Sequence, residues 1–180
     1  MKARRNVLGE VPNRRKKAVE NAVGSWKPHR AAIEFLAMRG QKAGWVISVC
    51  TGSLLLAAAG LLTGYRATSH WLVLEELAHL GATPTADRWV VDRNRATGGG
   101  VTAGIDFGLM LVGLLAGESR ARVTQLMMEY APKPPFSSGS PEEALPETVA
   151  AVRGGWAATS EQRVREQIGR AAGRLALLAR

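Results

Sequence analysis

The sequence contains one cysteine, Cys50, and only three histidines in 180 residues. A single cysteine excludes an intramolecular disulfide, and it cannot form a zinc site that needs several cysteine ligands. Residues 1–24 contain no apolar run long enough for the core of a secretory signal. These absences fit a reducing compartment, and the sequence therefore predicts a cytoplasmic protein.

Positive charge is in large excess only at the start of the chain. Residues 1–30 carry nine Lys and Arg and two Glu, a net charge of +7, whereas residues 31–180 have a net charge of only +2. This pattern predicts a basic, poorly ordered arm over residues 1–30. A solvated arm is the simpler interpretation, and binding of nucleic acid or anionic lipid stays open as the alternative.

An uncharged run from Trp45 to Tyr65 is long enough to cross a bilayer. It contains seven Ser, Thr and Gly residues, and its character changes at Cys50 from the β-branched stretch WVIS to the helix-forming stretch SLLLAAAGLL. This change favours a buried strand followed by a buried helix, and we predict that this run makes no membrane contact.

Apolar periodicity predicts alternating helices and strands after residue 30. Helices are predicted over 31–44, 51–62, 71–82, 101–117 and 119–130, and strands over 45–49, 88–94 and 95–99. The core stripe of the 119–130 helix is predicted to be Val123, Leu126, Met127 and Tyr130. Prolines exclude regular structure over 132–146, and the tail from Glu147 is predicted to be a helix interrupted near 153–155. One domain of the α/β class with a mainly parallel sheet follows, although no convincing strand precedes residue 45.

Cys50 lies between the predicted strand and helix, with the small residues Ser48 and Gly52 two places on either side. This spacing is typical of a nucleophile on a sharp strand-to-helix turn, where the backbone is crowded. A helix that begins at Thr51 would direct its N–H groups at the sulfur and favour the thiolate. A structural thiol buried between apolar segments is the alternative that the residues alone leave open.

Two further side chains are candidates for the site. His70 lies at a predicted helix start, where capping of the local backbone is the simpler role, and no histidine directly follows Cys50 in sequence. Asp106 is the one acid in the apolar 101–117 helix, so it needs a partner if it is buried, and pairing with an arginine or backbone amides is favoured over catalysis. The glycine-rich stretch TGGGVTAG lacks the lysine of a phosphate loop, which favours tight packing at a helix start.

Three blocks stand out in the sequence: SVCTGSLLLAAAGLLTGYRATSHW, DRNRATGGGVTAGIDFGLMLV and EYAPKPPFSSGSPEEA. In this order they resemble the ThiJ/PfpI family, which is class I glutamine amidotransferase-like, and within it the isonitrile hydratases. The resemblance assigns the domain to residues 31–155 and leaves residues 156–180 as a C-terminal helical extension. The first block is also similar to the amidotransferase-like domain of AraC-type transcription regulators.

The resemblance implies a flavodoxin-like three-layer α/β sandwich with Cys50 as the catalytic nucleophile. In the isonitrile hydratases, which are lyases, the cysteine attacks the isonitrile carbon and water completes the conversion to an N-substituted formamide, with no metal and no organic cofactor. Thr51 is the adjacent residue whose amide and hydroxyl shape the site. His70 and Asp106 belong to matching motifs and are expected to support the pocket. A homodimer is the expected assembly.

The sequence departs from the family at its start. The opening strand and helix, which supply an acid beside the cysteine, and a later glycine loop have no counterpart here, so the resemblance implies an N-terminally truncated domain. Two functions are therefore compatible with the sequence. One is an isonitrile hydratase, active or degenerate, and the other is a non-catalytic regulatory or ligand-binding module whose basic arm contacts nucleic acid. No helix-turn-helix pair follows the domain in sequence, which disfavours the second.

Overall fold

The computed structural model describes residues 30–178. Its helices are α1 (Arg30–Gly40), α2 (Gly52–Ala58), α3 (Ala103–Ala116), α4 (Glu118–Met127), α5 (Pro146–Trp156) and α6 (Gln162–Leu178). Its strands are β1 (Val46–Val49), β2 (Arg66–Ala67), β3 (Thr83–Pro84), β4 (Trp89–Asp92) and β5 (Arg95–Gly98). Two 3-10 segments, Trp71–Val73 and Glu75–Leu80, and a π turn at Ala157–Glu161 complete the order. The predicted basic arm, apart from Arg30, lies outside the described residues.

The strands form two small sheets, and two of their three pairings are parallel, in keeping with the mainly parallel arrangement that the alternating pattern predicts. The larger sheet has the strand order β1-β5-β4, with β1 parallel to β5 and β4 antiparallel to β5. A two-residue turn at Arg93 and Asn94 joins β4 to β5, within the polar turn expected from the sequence. The pair β2 and β3 is also parallel. The register places Val49 opposite Gly98, so β1 and β5 end side by side just before Cys50.

The main core lies between strand β1, helix α2 and the C-terminal helix α6. It joins Val46 of β1, the buried face of α2, the 3-10 segments and Val164, Ile168 and Ala171 of α6. Helix α3 packs apart from this cluster, with Phe107 against β5. Helical elements therefore pack on the sheet in two separate groups, in agreement with an α/β sandwich.

The helix predicted over 71–82 is wrong in type, because the structure forms the two 3-10 segments there. Leu74, Leu77 and Leu80 are all buried and recur every three residues. A 3-10 helix has three residues per turn, so this spacing aligns their side chains on one face. Helix α2 is also shorter than the predicted 51–62 helix, since the chain turns at Gly60 with a φ of 74°.

Two expectations near the C-terminus are also corrected. Three of the four side chains expected to form the core stripe of the 119–130 helix are exposed, Val123 at 55%, Leu126 at 81% and Met127 at 83%, because α4 packs mainly against α3. The fourth, Tyr130, is half-buried. The helical tail is not interrupted at 153–155, since α5 runs through to Trp156. The irregularity lies one turn later, where the π turn joins α5 to α6.

Among residues 30–178, none of the helices combines the length and the apolar character needed to cross a bilayer. The uncharged run from Trp45 to Tyr65 instead divides into β1, α2 and a turn.

The contact between α1 and the core gives a test of the packing. A Cβ at Gly40 would lie 2.6 Å from Leu61 Cδ2, and Leu61 is buried. We expect Gly40→Ala to lower the free energy of unfolding by about 1–3 kcal/mol, since overpacking forces neighbouring side chains to move. Gly108 in α3 is the matched control, because nothing lies within 4 Å of its added Cβ. Gly108→Ala should raise stability by about 0.5–1 kcal/mol. Urea unfolding of both variants checks the pair, and equal effects would contradict the packing.

Candidate active site

Cys50 follows the last residue of β1 and has a left-handed backbone, with a φ of 58°. This conformation costs a non-glycine residue about 1–2 kcal/mol. The amide of Cys50 donates to two carbonyl oxygens at the end of β5, those of Gly98 at 2.9 Å and Gly99 at 2.8 Å. The strand ladder therefore holds the amide of the strained residue in place.

The carbonyl oxygen of Cys50 is held as firmly as its amide. It accepts from the amide and the hydroxyl of Ser53, at 3.4 and 3.1 Å, and from the hydroxyl of Ser69 at 3.2 Å. A strained conformation persists when surrounding contacts over-determine it, and such residues cluster at functional sites. The structure thus forms the sharp strand-to-helix turn that the sequence predicts, with a half-buried thiol at its apex.

The neighbours of Cys50 account for the small residues in the motif. A Cβ at Gly52 would lie 3.5 Å from Ser48 Cβ, so α2 begins directly against the end of β1. The Ser48 hydroxyl is buried and has no hydrogen-bond partner in the part of the chain that the structure describes. Thr51 is the N-cap of α2 without a side-chain capping bond, and its amide makes no hydrogen bond within residues 30–178. The Thr51 amide can therefore donate to a bound group.

Three glycines form the wall behind the turn. A Cβ at Gly98 would lie 3.0 Å from the ring of Phe107, and a Cβ at Gly99 would lie 3.3 Å from the carbonyl oxygen of Arg88. A Cβ at Gly100 would meet the ring of His70 at 3.7 Å. The TGGG stretch is a packing element, as its sequence predicts, and it brings β5, α3 and the His70 segment together.

His70 lies near this wall but makes no hydrogen bond to Cys50 in the described chain. Its Nδ1 accepts from the amide of Leu72 at 3.3 Å, and its ring stacks on Trp71 with the centroids 6.0 Å apart. The ring is half-buried, and burial lowers the pKa of His70 below its usual value. The residue thus caps the first 3-10 segment in its neutral form, which is the structural role expected from the sequence.

Asp106 of α3 is fully engaged in side-chain contacts. Its Oδ2 accepts from the guanidinium of Arg88, and its Oδ1 accepts from the hydroxyl of Tyr130 at 2.8 Å. The hydrogen bond to the Asp106 carboxylate raises the pKa of Tyr130. The arginine expected as the partner of Asp106 is Arg88. The structure does not bring Asp106 into contact with the Cys50 side chain.

Other binding features lie away from the turn. Residues 30–178 contain no group of three His, Cys, Asp or Glu side chains that could hold a metal ion. A cavity of about 630 Å³ lies between the 3-10 segments, the loop at Pro141 and the α5–α6 junction. Trp71 and Trp156 line it, whereas Cys50 and Thr51 do not.

The family is decided by comparison with known proteins. The model of the DJ-1/PfpI family, also called ThiJ/PfpI, matches residues 24–114. The chain belongs to the DJ-1/PfpI family. This confirms the resemblance drawn from the three sequence blocks, and the fold agrees with the α/β flavodoxin-like arrangement of the family.

Three similar proteins place the chain within the DJ-1/PfpI family. An isonitrile hydratase of Pseudomonas putida is 52% identical over 122 residues, covering 68% of this chain and 54% of that protein. A ThiJ/PfpI family protein from Pseudomonas syringae has a crystal structure with a TM-score of 0.74 and 46% identity, covering 81% of this chain and 58% of the other. The HTH-type transcriptional regulator GbdR of Pseudomonas aeruginosa (strain UCBPP-PA14) is 34% identical over 106 residues, covering 58% of this chain and 28% of the regulator. The chain spans about half the length of the isonitrile hydratase it matches.

Sequence reasoning singled out Cys50, Thr51, His70 and Asp106 but missed the residues that hold the turn. Ser53 lies three positions after Cys50, a spacing at which a serine hydroxyl reaches back to a carbonyl, and this local signal was available. Ser69 and Arg88 had no such signal, because their contacts join segments distant in sequence.

The left-handed backbone at residue 50 gives a stability test. Glycine adopts a positive φ without steric cost, whereas alanine does not. We expect Cys50→Gly to have a free energy of unfolding about 1 kcal/mol above that of Cys50→Ala, although both lack the thiol. Urea unfolding measures the difference. A more stable Cys50→Ala would contradict the observed backbone conformation.

The lowered pKa of His70 gives a pH test. Between the folded-state pKa and the unfolded value of about 6.5, the unfolded chain binds more protons, so stability falls as the pH falls through this window. The protonated Nδ1 would also lose its capping bond from Leu72. We expect His70→Asn, which keeps a capping acceptor, to show a smaller loss of stability between pH 7 and pH 5 than the wild type. Equal losses in thermal unfolding at these pH values would refute this role.

Proposed function

We propose that the chain is a cysteine-dependent isonitrile hydratase, which adds water to an isonitrile and yields an N-substituted formamide. The single observation that supports this most is the strained, five-fold hydrogen-bonded backbone of Cys50, which presents the one thiol of the chain at a strand-to-helix turn. Relatedness to the Pseudomonas putida isonitrile hydratase supplies the substrate class. We further propose that the protein is cytoplasmic and needs no metal or organic cofactor.

The proposed reaction has two stages. The sulfur of Cys50 forms a bond to the isonitrile carbon, and that carbon takes up a proton to give a thioimidate. Water then adds to the same carbon, its protons pass to nitrogen and back to solvent, and the carbon–sulfur bond breaks to release the formamide and the thiolate. The sum is one isonitrile and one water giving one formamide, with no oxidant or reductant.

The residues around Cys50 are assigned supporting roles. The Thr51 amide, which has no partner in the described residues, donates to the oxygen that water brings to the tetrahedral carbon. The Thr51 hydroxyl helps to shape the site beside the thiol. His70 and Asp106 support the pocket through the backbone rather than by proton transfer, since the Nδ1 of His70 and both carboxylate oxygens of Asp106 are engaged.

The rate is expected to be low for a reason visible at the site. Within residues 30–178 no carboxylate hydrogen-bonds to Cys50, whereas the family resemblance implies an acid beside the cysteine. Loss of a general acid–base group costs about a hundredfold to ten-thousandfold in rate. The resemblance also implies a glycine loop that would lend one backbone donor to the oxyanion, and loss of one such donor costs about a hundredfold to a thousandfold in rate. The proposed enzyme is therefore weakly active, or degenerate, as the 180-residue chain.

A regulatory or ligand-binding module is the second candidate. The similarity to GbdR supports it. The matched 106 residues make up 28% of that regulator, so they correspond to one part of a larger protein. The net charge of +7 over residues 1–30 would let the arm contact nucleic acid.

Exposed apolar side chains on α3 and α4, among them Leu115 and Leu126, would be covered in the proposed homodimer.

The activity prediction uses cyclohexyl isocyanide and the full 180-residue chain. We expect formamide production far below the typical enzyme turnover of about 10 per second, or none, and we expect Cys50→Ala to abolish whatever is present. Gas chromatography of the formamide measures the rate.

Two results would decide between the candidates. Formamide production at about 10 per second would contradict the assigned weakness and would require an acid from residues 1–29 or from a second subunit. Activity that persists in Cys50→Ala would refute the nucleophile. A salt-dependent shift of a DNA duplex, with no formamide formed, would favour the regulatory module.

A further inference from the structure

A chain of contacts leads from the end of α4 to the nucleophile turn. The hydroxyl of Tyr130 donates to Asp106, and the same carboxylate accepts from the guanidinium of Arg88. The backbone carbonyl of Arg88 then accepts from the amide of Gly99 at 2.9 Å. The carbonyl of Gly99 in turn accepts from the amide of Cys50. Each link is a direct hydrogen bond or ion pair.

The position of Arg88 in the sheet explains why its side chain affects its carbonyl. Arg88 lies one residue before β4, so its hydrogen bond with Gly99 continues the antiparallel ladder beyond the last pair, Trp89 and Gly98. The first residue outside a strand frays readily unless another contact holds it. Asp106 supplies that contact, because it anchors the Arg88 side chain to α3. The Asp106 side chain is 24% exposed and that of Arg88 is 49% exposed, so solvent screens the pair in part, and the Tyr130 hydroxyl adds a second hold on the carboxylate.

The tight packing at Gly99 makes the turn sensitive to this anchor. A Cβ at Gly99 would lie 3.3 Å from the Arg88 carbonyl oxygen and 3.7 Å from that of Ser69. Ser69 also holds the carbonyl of Cys50. A displacement of Arg88 would therefore disturb the hydrogen bonds of both the amide and the carbonyl oxygen of Cys50.

We propose that Arg88, anchored by Asp106 and Tyr130, is a positioning residue for Cys50. Its carbonyl fixes Gly99, and Gly99 fixes the left-handed backbone that presents the thiol. The inference rests on the proposed function only in that Cys50 is taken as the reactive group. Its test uses thiol chemistry and amide exchange, and neither depends on hydratase activity.

The test compares Arg88→Ala, Arg88→Lys and Tyr130→Phe with the control Arg122→Ala. Arg122 forms an ion pair with Glu118 on the exposed face of α4, with no link to Cys50. Cys50 is the one cysteine, so iodoacetamide labelling followed by mass spectrometry reports on it alone. The labelling rate is recorded from pH 6 to pH 10, and hydrogen exchange of the Gly99 and Cys50 amides is followed by NMR beside that of Leu54 in α2.

In Arg88→Ala we expect the labelling rate at fixed pH to change by about threefold to tenfold, well within the roughly hundredfold effect of a ~1 Å misplacement. The Gly99 and Cys50 amides should exchange at least about threefold faster while the Leu54 amide keeps its rate, because only local opening is increased. Arg88→Lys should recover part of the change, and Tyr130→Phe should give a smaller change of the same sign. Arg122→Ala should match the wild type.

The inference is overturned if Arg88→Ala and Tyr130→Phe label and exchange as Arg122→Ala does. It is also overturned if all amides of Arg88→Ala speed up together, since that is general destabilisation. Should Arg88→Ala fail to fold, Tyr130→Phe carries the same test, because it removes one hydrogen bond and no charge. A response in labelling, together with a salt-dependent shift of a DNA duplex and no formamide from the wild type, would refute the proposed hydratase and leave this inference standing.

Discussion

The hydrogen bonds to the backbone of Cys50 are the constraint on which the rest of the site depends. Two carbonyls of β5 accept from its amide, and Ser53 and Ser69 donate to its carbonyl. Together they hold a non-glycine residue at a φ of 58°, a conformation that the isolated dipeptide disfavours. The end of the sheet holds the Cys50 amide, while Ser53 at the start of α2 and Ser69 hold its carbonyl oxygen. The small residues of the motif and the glycine wall are consequences of this one turn.

The fold supplies these partners from segments that are distant in sequence. The parallel pairing of β1 with β5 brings Gly98 to residue 50, and the packing of α3 on β5 brings Asp106 under Arg88. The His70 segment closes the same wall from the other side through Gly100. The position of the Cys50 backbone thus depends on contacts made by β5, Arg88, α3 and the segment around His70. This convergence supports the proposal that Cys50 is a reactive thiol rather than a structural thiol of the core.

The sequence predicted those features of the structure that depend on interactions between residues close together in the chain. The change from β-branched to helix-forming residues at Cys50 located the turn, and the polar residues at 92–94 located the link between β4 and β5. The sequence does not reveal the 3-10 type of the 71–80 segments, because a spacing of three, seen in Leu74, Leu77 and Leu80, also places residues on one face of an α-helix. The exposure of Leu126 and the roles of Ser69 and Arg88 depend on tertiary contacts, which no local pattern reports.

The place of β1 in the sheet has a consequence for assembly. In the described residues β1 is an outer strand, paired only with β5. Val46 and Cys50 donate toward β5, so by alternation the amides of Ile47 and Val49 point to the opposite side. A fourth strand docking on this sheet at that edge would lie directly alongside β1, the strand that leads to Cys50. Any segment paired with that edge would therefore run within one strand spacing of the backbone that carries Cys50.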